Sequence, residues 1–259
     1  MDKDLSGRIQ SVDRAMMILE ALGTHDSGCR LTDLSKTTGL SLTTAHRLLT
    51  TLQQRRFVQF SKGENLWFVG AGAYAVGSSF FKDRSIVASA GPFLRRLRDQ
   101  AGETANIGIV EDGQILLADQ AKAKQSSNSI SAIGARTPMS ASGMGKAFLA
   151  SYHPDEVVAL TRKQGLSRIT SKSLTSIDAL GRELKRIEAQ GYSLDDEEYR
   201  IGLRCVAAPV YNDRHEVVCA ISVSGSSRRI TTDRLSSLAQ FVKDIACEFT
   251  LHLGGKAYR

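Results

Sequence analysis

The first clear pattern along the chain is a run of apolar residues at helical spacing, formed by Val12, Ala15, Met16, Leu19 and Leu22. Apolar residues that repeat every three or four positions form one face of an amphipathic helix. Ser11 stands directly before the run, where a hydroxyl can accept from the free N–H groups of a helix, and Gly23 follows it. The pattern therefore predicts a first helix that is capped by Ser11 and ends at Gly23.

Two further helices are predicted next, with a glycine turn between them. Thr32 is the expected cap of a short helix that stops at Gly39, and Ser41 is the expected cap of the following one. This following helix has one apolar face, which consists of Ala45, Leu48, Leu49 and Leu52. Two helices joined by a tight turn with glycine, the second with its own cap, are typical of a helix-turn-helix motif.

A β-hairpin is predicted after these helices. The runs Phe57–Phe60 and Leu66–Val69 are rich in aromatic and branched residues, and the polar residues 61–65 separate them. A hairpin in this position corresponds to the wing of a winged helix-turn-helix domain, which we place at residues 1–70. Small and aromatic residues then recur at helical spacing, so we expect a linker helix over residues 71–82.

The remainder of the chain alternates strand-like and helical stretches. The strand-like runs are 107–110, 115–118, 206–211 and 217–223. Asp112-Gly113 is a typical hairpin turn between the first two, and a long amphipathic helix is expected over residues 232–252. This mixture predicts an α+β domain with a mostly antiparallel sheet over residues 83–259.

The distribution of charge favours DNA as the partner of the first domain. The whole chain has a net charge of +7, and residues 41–63 contain four basic residues but no acidic one. A helix in the major groove needs short polar side chains for base edges and cations for phosphates. The alternative is a solvated helix end without a ligand. The expected DNA-binding residues are Thr43, Thr44, His46, Arg47, Arg55, Arg56 and Lys62.

Several classes of protein do not fit the composition. No stretch approaches the roughly 18 consecutive apolar residues of a membrane span, and the charged N-terminus is not followed by the apolar run of a secretory signal. The four cysteines lack the paired spacing of a zinc ribbon. We therefore expect a cytoplasmic protein that has no membrane partner, metal ion or cofactor.

At this point the sequence resembles the IclR family of bacterial transcriptional regulators from about Ile9 to Gly255. The segments that carry the resemblance are IQSVDRA (9–15), TTAHRLL (43–49), GETAN (102–106), SASGMGKA (140–147), GYSLDDEE (191–198), GLRCVA (202–207) and AISVSG (220–225). The resemblance implies a winged DNA-binding domain, a linker helix and a GAF-like effector domain. It also implies homodimers or homotetramers that bind palindromic operators in double-stranded DNA.

The resemblance further implies that a small acidic metabolite binds in the second domain. The positions that match the effector contacts of the family are Gly143, Met144, Asp195, Cys205, Ser222 and Ser224. Amides at a helix N-terminus after residue 142 favour a carboxylate, and two serines at alternate strand positions can both donate to ligand oxygens. An ionised Asp195 can accept from a hydroxyl or a hydrated carbonyl, whereas Asp196, Glu197 and Glu198 fit a solvated acidic turn.

This chain departs from the family pattern in two places. Met144 stands where similar proteins usually have Ala, so its longer side chain is expected to shrink or reshape the site. The polar run 125–129 stands where similar proteins often have apolar residues. From these departures we expect a ligand that is more hydroxylated than a bare two- or three-carbon oxo acid.

The second domain could instead belong to one of three other classes: an enzyme, a nucleotide-binding protein or a metal-responsive regulator. An enzyme would need a histidine, His153 or His215, beside Cys205 and Asp195. A phosphate-binding loop would need Gly at 140 and a hydroxyl at 147, but Ser140 and Ala147 stand there. A metal-responsive regulator would need His and Cys at ligand spacing. A repressor of a catabolic operon fits the sequence better than an enzyme.

Overall fold

The computed structural model describes residues 9–25, 27–82, 85–124 and 132–256. The chain divides into two units, Met1–Arg84 and Ser85–Arg259. The polar run 125–129, from which a more hydroxylated ligand was expected, lies outside the described residues. In the part of the chain that is described, no helix combines the length and the apolar character needed to cross a membrane.

The N-terminal unit has the predicted winged helix-turn-helix fold. Its elements are α1 (Gln10–Gly23), α2 (Leu31–Thr38), α3 (Leu42–Gln54), β1 (Val58–Ser61), β2 (Leu66–Val69) and α4 (Ala71–Lys82). The strands β1 and β2 pair in antiparallel orientation and form the wing. The core between the three helices and the wing contains Ile18, Leu22, Leu34, Ala45, Leu49, Val58 and Trp67. Gly39 ends α2 in the left-handed conformation, at φ 69°.

Three details of the predicted helices are wrong. The helix α1 begins at Gln10 after an Ile9 N-cap, and α2 begins at Leu31 after an Arg30 N-cap, so Ser11 and Thr32 lie inside their helices. Ser and Thr also fit the first turn of a helix, and a hydroxyl near a helix start therefore does not fix the cap. On α1, Val12 and Met16 are 52% and 46% exposed, while Ile18, outside the predicted apolar face, is fully buried.

The C-terminal unit is built around a six-stranded sheet in which every neighbouring pair is antiparallel. The strands are β3 (Thr104–Glu111), β4 (Gln114–Ala121), β5 (Arg136–Pro138), β6 (Ser193–Asp196), β7 (Leu203–Tyr211) and β8 (Val217–Ser226). Their order across the sheet is β5–β4–β3–β8–β7–β6. The predicted α+β class with an antiparallel sheet is confirmed.

Helices cover both faces of the sheet. The central strands are therefore buried at successive positions and not at alternate ones. The helices described in this unit are α5 (Ser85–Ser89), α6 (Gly91–Ala101), α7 (Gly143–Leu149), α8 (Pro154–Gln164), α9 (Ile177–Gln190) and α10 (Thr232–His252). The helices α6 and α10 pack on the sheet and on each other. The short helix α7 packs on β6, β7 and β8, and α9 packs against α7. The first residues of α7 therefore lie beside the central strands.

Candidate DNA-binding helix and ligand cavity

The helix α3 is held in a fixed position by its cap and its apolar face. The Oγ of Ser41 accepts a hydrogen bond from the backbone N–H of Thr44 at 3.2 Å, as the sequence predicts. Ala45 and Leu49 are fully buried against the other helices of the N-terminal unit. The cap and the buried face hold α3 in place, and the opposite side of the helix is exposed to solvent.

Six of the seven expected DNA-binding side chains are exposed, and Thr44, which also contacts Ser41, is half-buried. The ring of His46 meets Trp67 of the wing edge-on, with the ring centroids 6.4 Å apart. Arg56 adopts a positive φ of 60° where the chain turns from α3 to β1. The exposed set on α3, the following turn and the wing consists of Thr43, His46, Arg47, Arg55, Arg56 and Lys62.

In the C-terminal unit, the strand register brings polar residues from four strands to one face of the sheet. Residues directly opposite each other in antiparallel strands project to the same side. Asn106 on β3 lies opposite Ser222 on β8, Ser224 lies opposite Cys205 on β7, and Cys205 lies opposite Asp195 on β6. This row of polar side chains is buried within a unit whose other strand positions are mostly apolar.

The row forms one wall of a cavity of about 50 Å³. All six residues expected to contact an effector line this cavity, namely Gly143, Met144, Asp195, Cys205, Ser222 and Ser224. Asn106 and Tyr199 line it as well, and neither was predicted. A volume of this size holds roughly three to five water molecules, which corresponds to a ligand of few heavy atoms.

The start of α7 forms the wall that faces β7. The Oγ of Ser142 caps the helix by accepting from the N–H of Gly145 at 3.1 Å. A Cβ atom at Gly143 would lie 3.1 Å from the Cys205 Sγ and 3.2 Å from its carbonyl oxygen, so the close approach of α7 to β7 leaves little room for a side chain at this position. The Ser193 hydroxyl donates to the carbonyl of Gly143 at 2.6 Å and fixes this approach.

The side chain of Met144 is buried and reaches β3. A Cβ atom at Gly108 would lie 2.9 Å from the Met144 Sδ, so the absence of a side chain at Gly108 makes room for this methionine. The longer side chain at the position where similar proteins usually have Ala therefore occupies space beside the cavity. Its backbone still lies at the start of α7.

Asp195 is a buried acid whose pKa is raised to about 7, first by burial and then by the charge of Glu198. Its Oδ1 accepts from the backbone N–H groups of Glu198 at 2.7 Å and Tyr199 at 3.3 Å, and these bonds oppose the shift. The carboxyl group thus titrates near neutral pH. It can donate a hydrogen bond to a ligand when protonated and accept one when ionised.

A buried ion cluster lies behind Asp195 and was missed in the sequence. Lys146 is fully buried; its Nζ donates to the Leu194 carbonyl at 2.6 Å, forms a short ion pair with Glu198 Oε1 and lies 3.6 Å from Glu183 Oε1. Burial raises the pKa of Glu198 although Lys146 lowers it, and among the described residues Glu198 Oε2 has no hydrogen-bond partner. The expectation that Glu198 belongs to a solvated turn is wrong.

The surroundings of Cys205 do not favour a nucleophile. Burial, followed by the charge of Asp195, raises the pKa of the thiol to about 12, so it is protonated at neutral pH. His153 is an exposed residue at the start of α8, and His215 stacks on Tyr211 in the turn after β7. Across the described ranges no three His, Cys, Asp or Glu side chains form a group that could hold a metal ion.

A winged helix-turn-helix domain followed by a domain whose cavity has one polar wall is the architecture of a DNA-binding transcriptional regulator. Two family models match this chain, one for the IclR helix-turn-helix domain at residues 11–61 and one for the C-terminal domain of bacterial IclR regulators at residues 79–250. The chain belongs to the IclR family, and the resemblance found in the sequence is confirmed.

Curated relatives of this chain are repressors. It is 40% identical over 253 residues to the acetate operon repressor of Salmonella typhimurium, covering 97% of this chain and 92% of the relative. It is 38% identical over 252 residues to the transcriptional repressor IclR of Escherichia coli, covering 96% and 92%. The solved IclR structure of Thermotoga maritima shares the fold with a TM-score of 0.82 at 23% identity, covering 95% of this chain and 100% of that one.

Proposed function

We propose that this protein is a ligand-responsive repressor whose C-terminal unit senses a small carboxylic, hydroxy or oxo acid. The observation that carries the proposal is the cavity in which the six family effector positions come together. In this proposal residues 1–70 bind DNA, residues 71–82 form the linker helix and residues 83–259 bind the ligand.

The chemistry of the cavity supports an acid as the ligand. The Ser222 and Ser224 hydroxyls can donate to ligand oxygens, and Asp195 near its pKa can share a proton with a second polar group of the ligand. The small volume favours a ligand with few heavy atoms. Ligand binding then shifts the balance between two arrangements of the protein that differ in operator affinity.

A thermal-shift panel tests the ligand class. Oxo acids, hydroxy acids, sugar acids and semialdehydes are added to the wild type and to the Asp195→Ala variant. A ligand at a hundredfold excess over its Kd should stabilise the wild type by about 2.7 kcal/mol, and the variant should lose this shift. Operator binding by the unliganded variant should be unchanged. A panel without any shift in the wild type would contradict the proposed ligand class.

On the DNA side, we propose that a homodimer or homotetramer presents two α3 helices to the half-sites of a palindromic operator. The exposed polar and basic set on α3, the turn and the wing supports this arrangement. A relative that carries the name acetate operon repressor supports a catabolic operon as the target.

Replacing Arg47 with Ala should weaken operator binding because an exposed cation would no longer reach a phosphate. We expect about a tenfold loss at physiological salt, with the slope of log K against log salt reduced by about 1. Fluorescence anisotropy on an operator selected from random duplexes measures both quantities. Arg162→Ala, an exposed arginine on α8, is the matched control and should change neither. Unchanged affinity in Arg47→Ala would remove this residue from the DNA-binding surface.

A further inference from the structure

Asn106 lies at the β3 end of the polar row and contacts both serines. Its Nδ2 lies 3.0 Å from Ser224 Oγ, 3.3 Å from Ser222 Oγ and 3.4 Å from the backbone carbonyl of Thr104, so its two hydrogens serve three acceptors and one hydrogen is shared. A backbone carbonyl can only accept, so the nitrogen of the amide, and not its oxygen, must face this group. The Thr104 carbonyl therefore fixes the orientation of the Asn106 side chain.

The orientation of Asn106 sets the direction of the serine hydroxyls. A serine oxygen carries one hydrogen and two lone pairs, and in each of these serines one lone pair accepts from the Asn106 amide. The hydrogens must then point away from Asn106. Ser222 hydrogen-bonds the Cys205 thiol, whereas the Ser224 side chain has Asn106 as its only side-chain hydrogen-bond partner among the described residues. Ser224 lines the cavity, which leaves its hydrogen available there.

We infer that Asn106 is a positioning residue that makes this wall select a hydrogen-bond acceptor of the ligand over a donor. With the Ser224 hydrogen directed into the cavity, the hydroxyl donates to a carboxylate oxygen of the ligand, whereas an amide NH₂ group in the same place brings its own hydrogens against the Ser224 hydrogen. A binding site that is built for one hydrogen-bonding pattern rejects an analogue that lacks it, because its buried polar groups remain unpaired. The inference rests on the proposed function, because it requires an acid in this cavity.

The test compares acids with their primary amides, which differ in presenting NH₂ in place of a carboxylate oxygen. The probes are the acids of the thermal-shift panel, among them glycolate, lactate and pyruvate, each paired with its primary amide and titrated by calorimetry at one pH. The wild type should bind at least one acid, with a Kd about 100-fold below that of its amide. Asn106→Ala frees the Ser224 hydroxyl to rotate, and the ratio of the two Kd values should fall about tenfold.

Two further variants separate positioning from a merely structural role. Ser224→Ala removes the hydroxyl that is positioned, so it should lower the ratio as Asn106→Ala does, and the double variant should show no further fall. A structural role would weaken the acid and the amide equally and leave the ratio unchanged. If Asn106→Ala melts below the assay temperature, Asn106→Ser enters the same cycle, because its side chain is too short to bridge both serines.

The outcomes distinguish the role of Asn106 from the proposed ligand class. The role of Asn106 is supported if Asn106→Ala lowers the Kd ratio of amide to acid and the addition of Ser224→Ala lowers it no further. If an acid binds the wild type and the Kd ratio of amide to acid is unchanged in Asn106→Ala, that role is overturned. The proposed ligand class then remains intact. A wild type that binds none of the acids overturns the proposed ligand class and the inference together.

Discussion

Replacing Lys146 with Met is expected to destabilise the C-terminal unit by about 3–5 kcal/mol, because it removes the cation from a buried ion cluster. Lys146 is fully buried, and its ammonium lies between Glu198 and Glu183. Without it, Glu198 keeps a carboxylate that is already short of one hydrogen-bond partner among the described residues. Met matches the length of the aliphatic stem, so the variant removes the charge with little change in packing.

Two variants serve as controls for this expectation. Lys172→Met breaks ion pairs with Asp196 and Glu197, but this lysine is 43% exposed and solvent screens both pairs, so its loss should cost far less stability than the loss of Lys146. Adding Glu198→Gln to Lys146→Met removes the uncompensated charge and should recover at least half of the lost stability. Urea denaturation followed by far-UV circular dichroism measures the effect. Equal losses in Lys146→Met and Lys172→Met would contradict it.

The spectroscopic signals can separate the two units in this experiment. Trp67 is the one tryptophan of the chain and lies in the core of the N-terminal unit. Its fluorescence therefore follows the unfolding of that unit, while the circular dichroism signal reports on both. A two-unit protein need not unfold in one step, so the two signals are analysed separately.

The fold could be predicted where a local pattern determines it. Apolar spacing and the Ser41 cap located α3, and the long apolar repeat located α10 with both of its ends. The sequence pattern did not predict the strands β5 and β6, which lie at the two edges of the sheet and lack a long apolar run. β5 has three residues, and β6 reads Ser-Leu-Asp-Asp, which has the composition of a polar turn. Only pairing with β4 and β7 makes them strands.

The candidate cavity could be predicted only in part for a similar reason. The six effector positions followed from the family resemblance. Asn106 and Ser222 are 116 residues apart in the sequence, and neither segment alone predicts the strand register that brings them together. A signal for Lys146 was present, because it is the one charged residue in the otherwise apolar helix Gly143–Leu149. A lone lysine inside such a helix indicates a buried ion pair, although not its partner.

Replacing Asp195 with Asn is expected to stabilise the unliganded protein at pH 8, by on the order of 4 kcal/mol. Asn can keep the two hydrogen bonds that Asp195 Oδ1 accepts from the backbone N–H groups of Glu198 and Tyr199. It removes the ionisation that burial opposes, since burial and the charge of Glu198 raise the pKa of Asp195 to about 7. The wild type must ionise this buried group above that pH, and the variant does not.

The dependence on pH distinguishes this cause from a simple change in packing. The pKa of an unfolded Asp is about 3.9, so between pH 4 and 7 the folded wild type holds more protons than the unfolded chain. Its stability should therefore fall relative to Asp195→Asn as the pH rises from 4 to 7, and the difference should stay constant above 7. Denaturation midpoints measured at unit steps of pH show this directly, and parallel profiles for the two proteins would contradict the assignment.

The neighbouring acid should behave in the opposite way and so provides a matched control. Burial acts to raise the pKa of Asp196, but hydrogen bonds and charges from Arg204 and Lys172 outweigh it and lower the pKa overall. A lowered pKa means that ionised Asp196 stabilises the fold above about pH 4, a contribution that is lost as the pH falls through the folded pKa. Asp196→Asn should thus be less stable than the wild type at pH 8. Two adjacent carboxylates with opposite pH slopes would show that β6 turns one charged side chain to solvent and the other into the cavity.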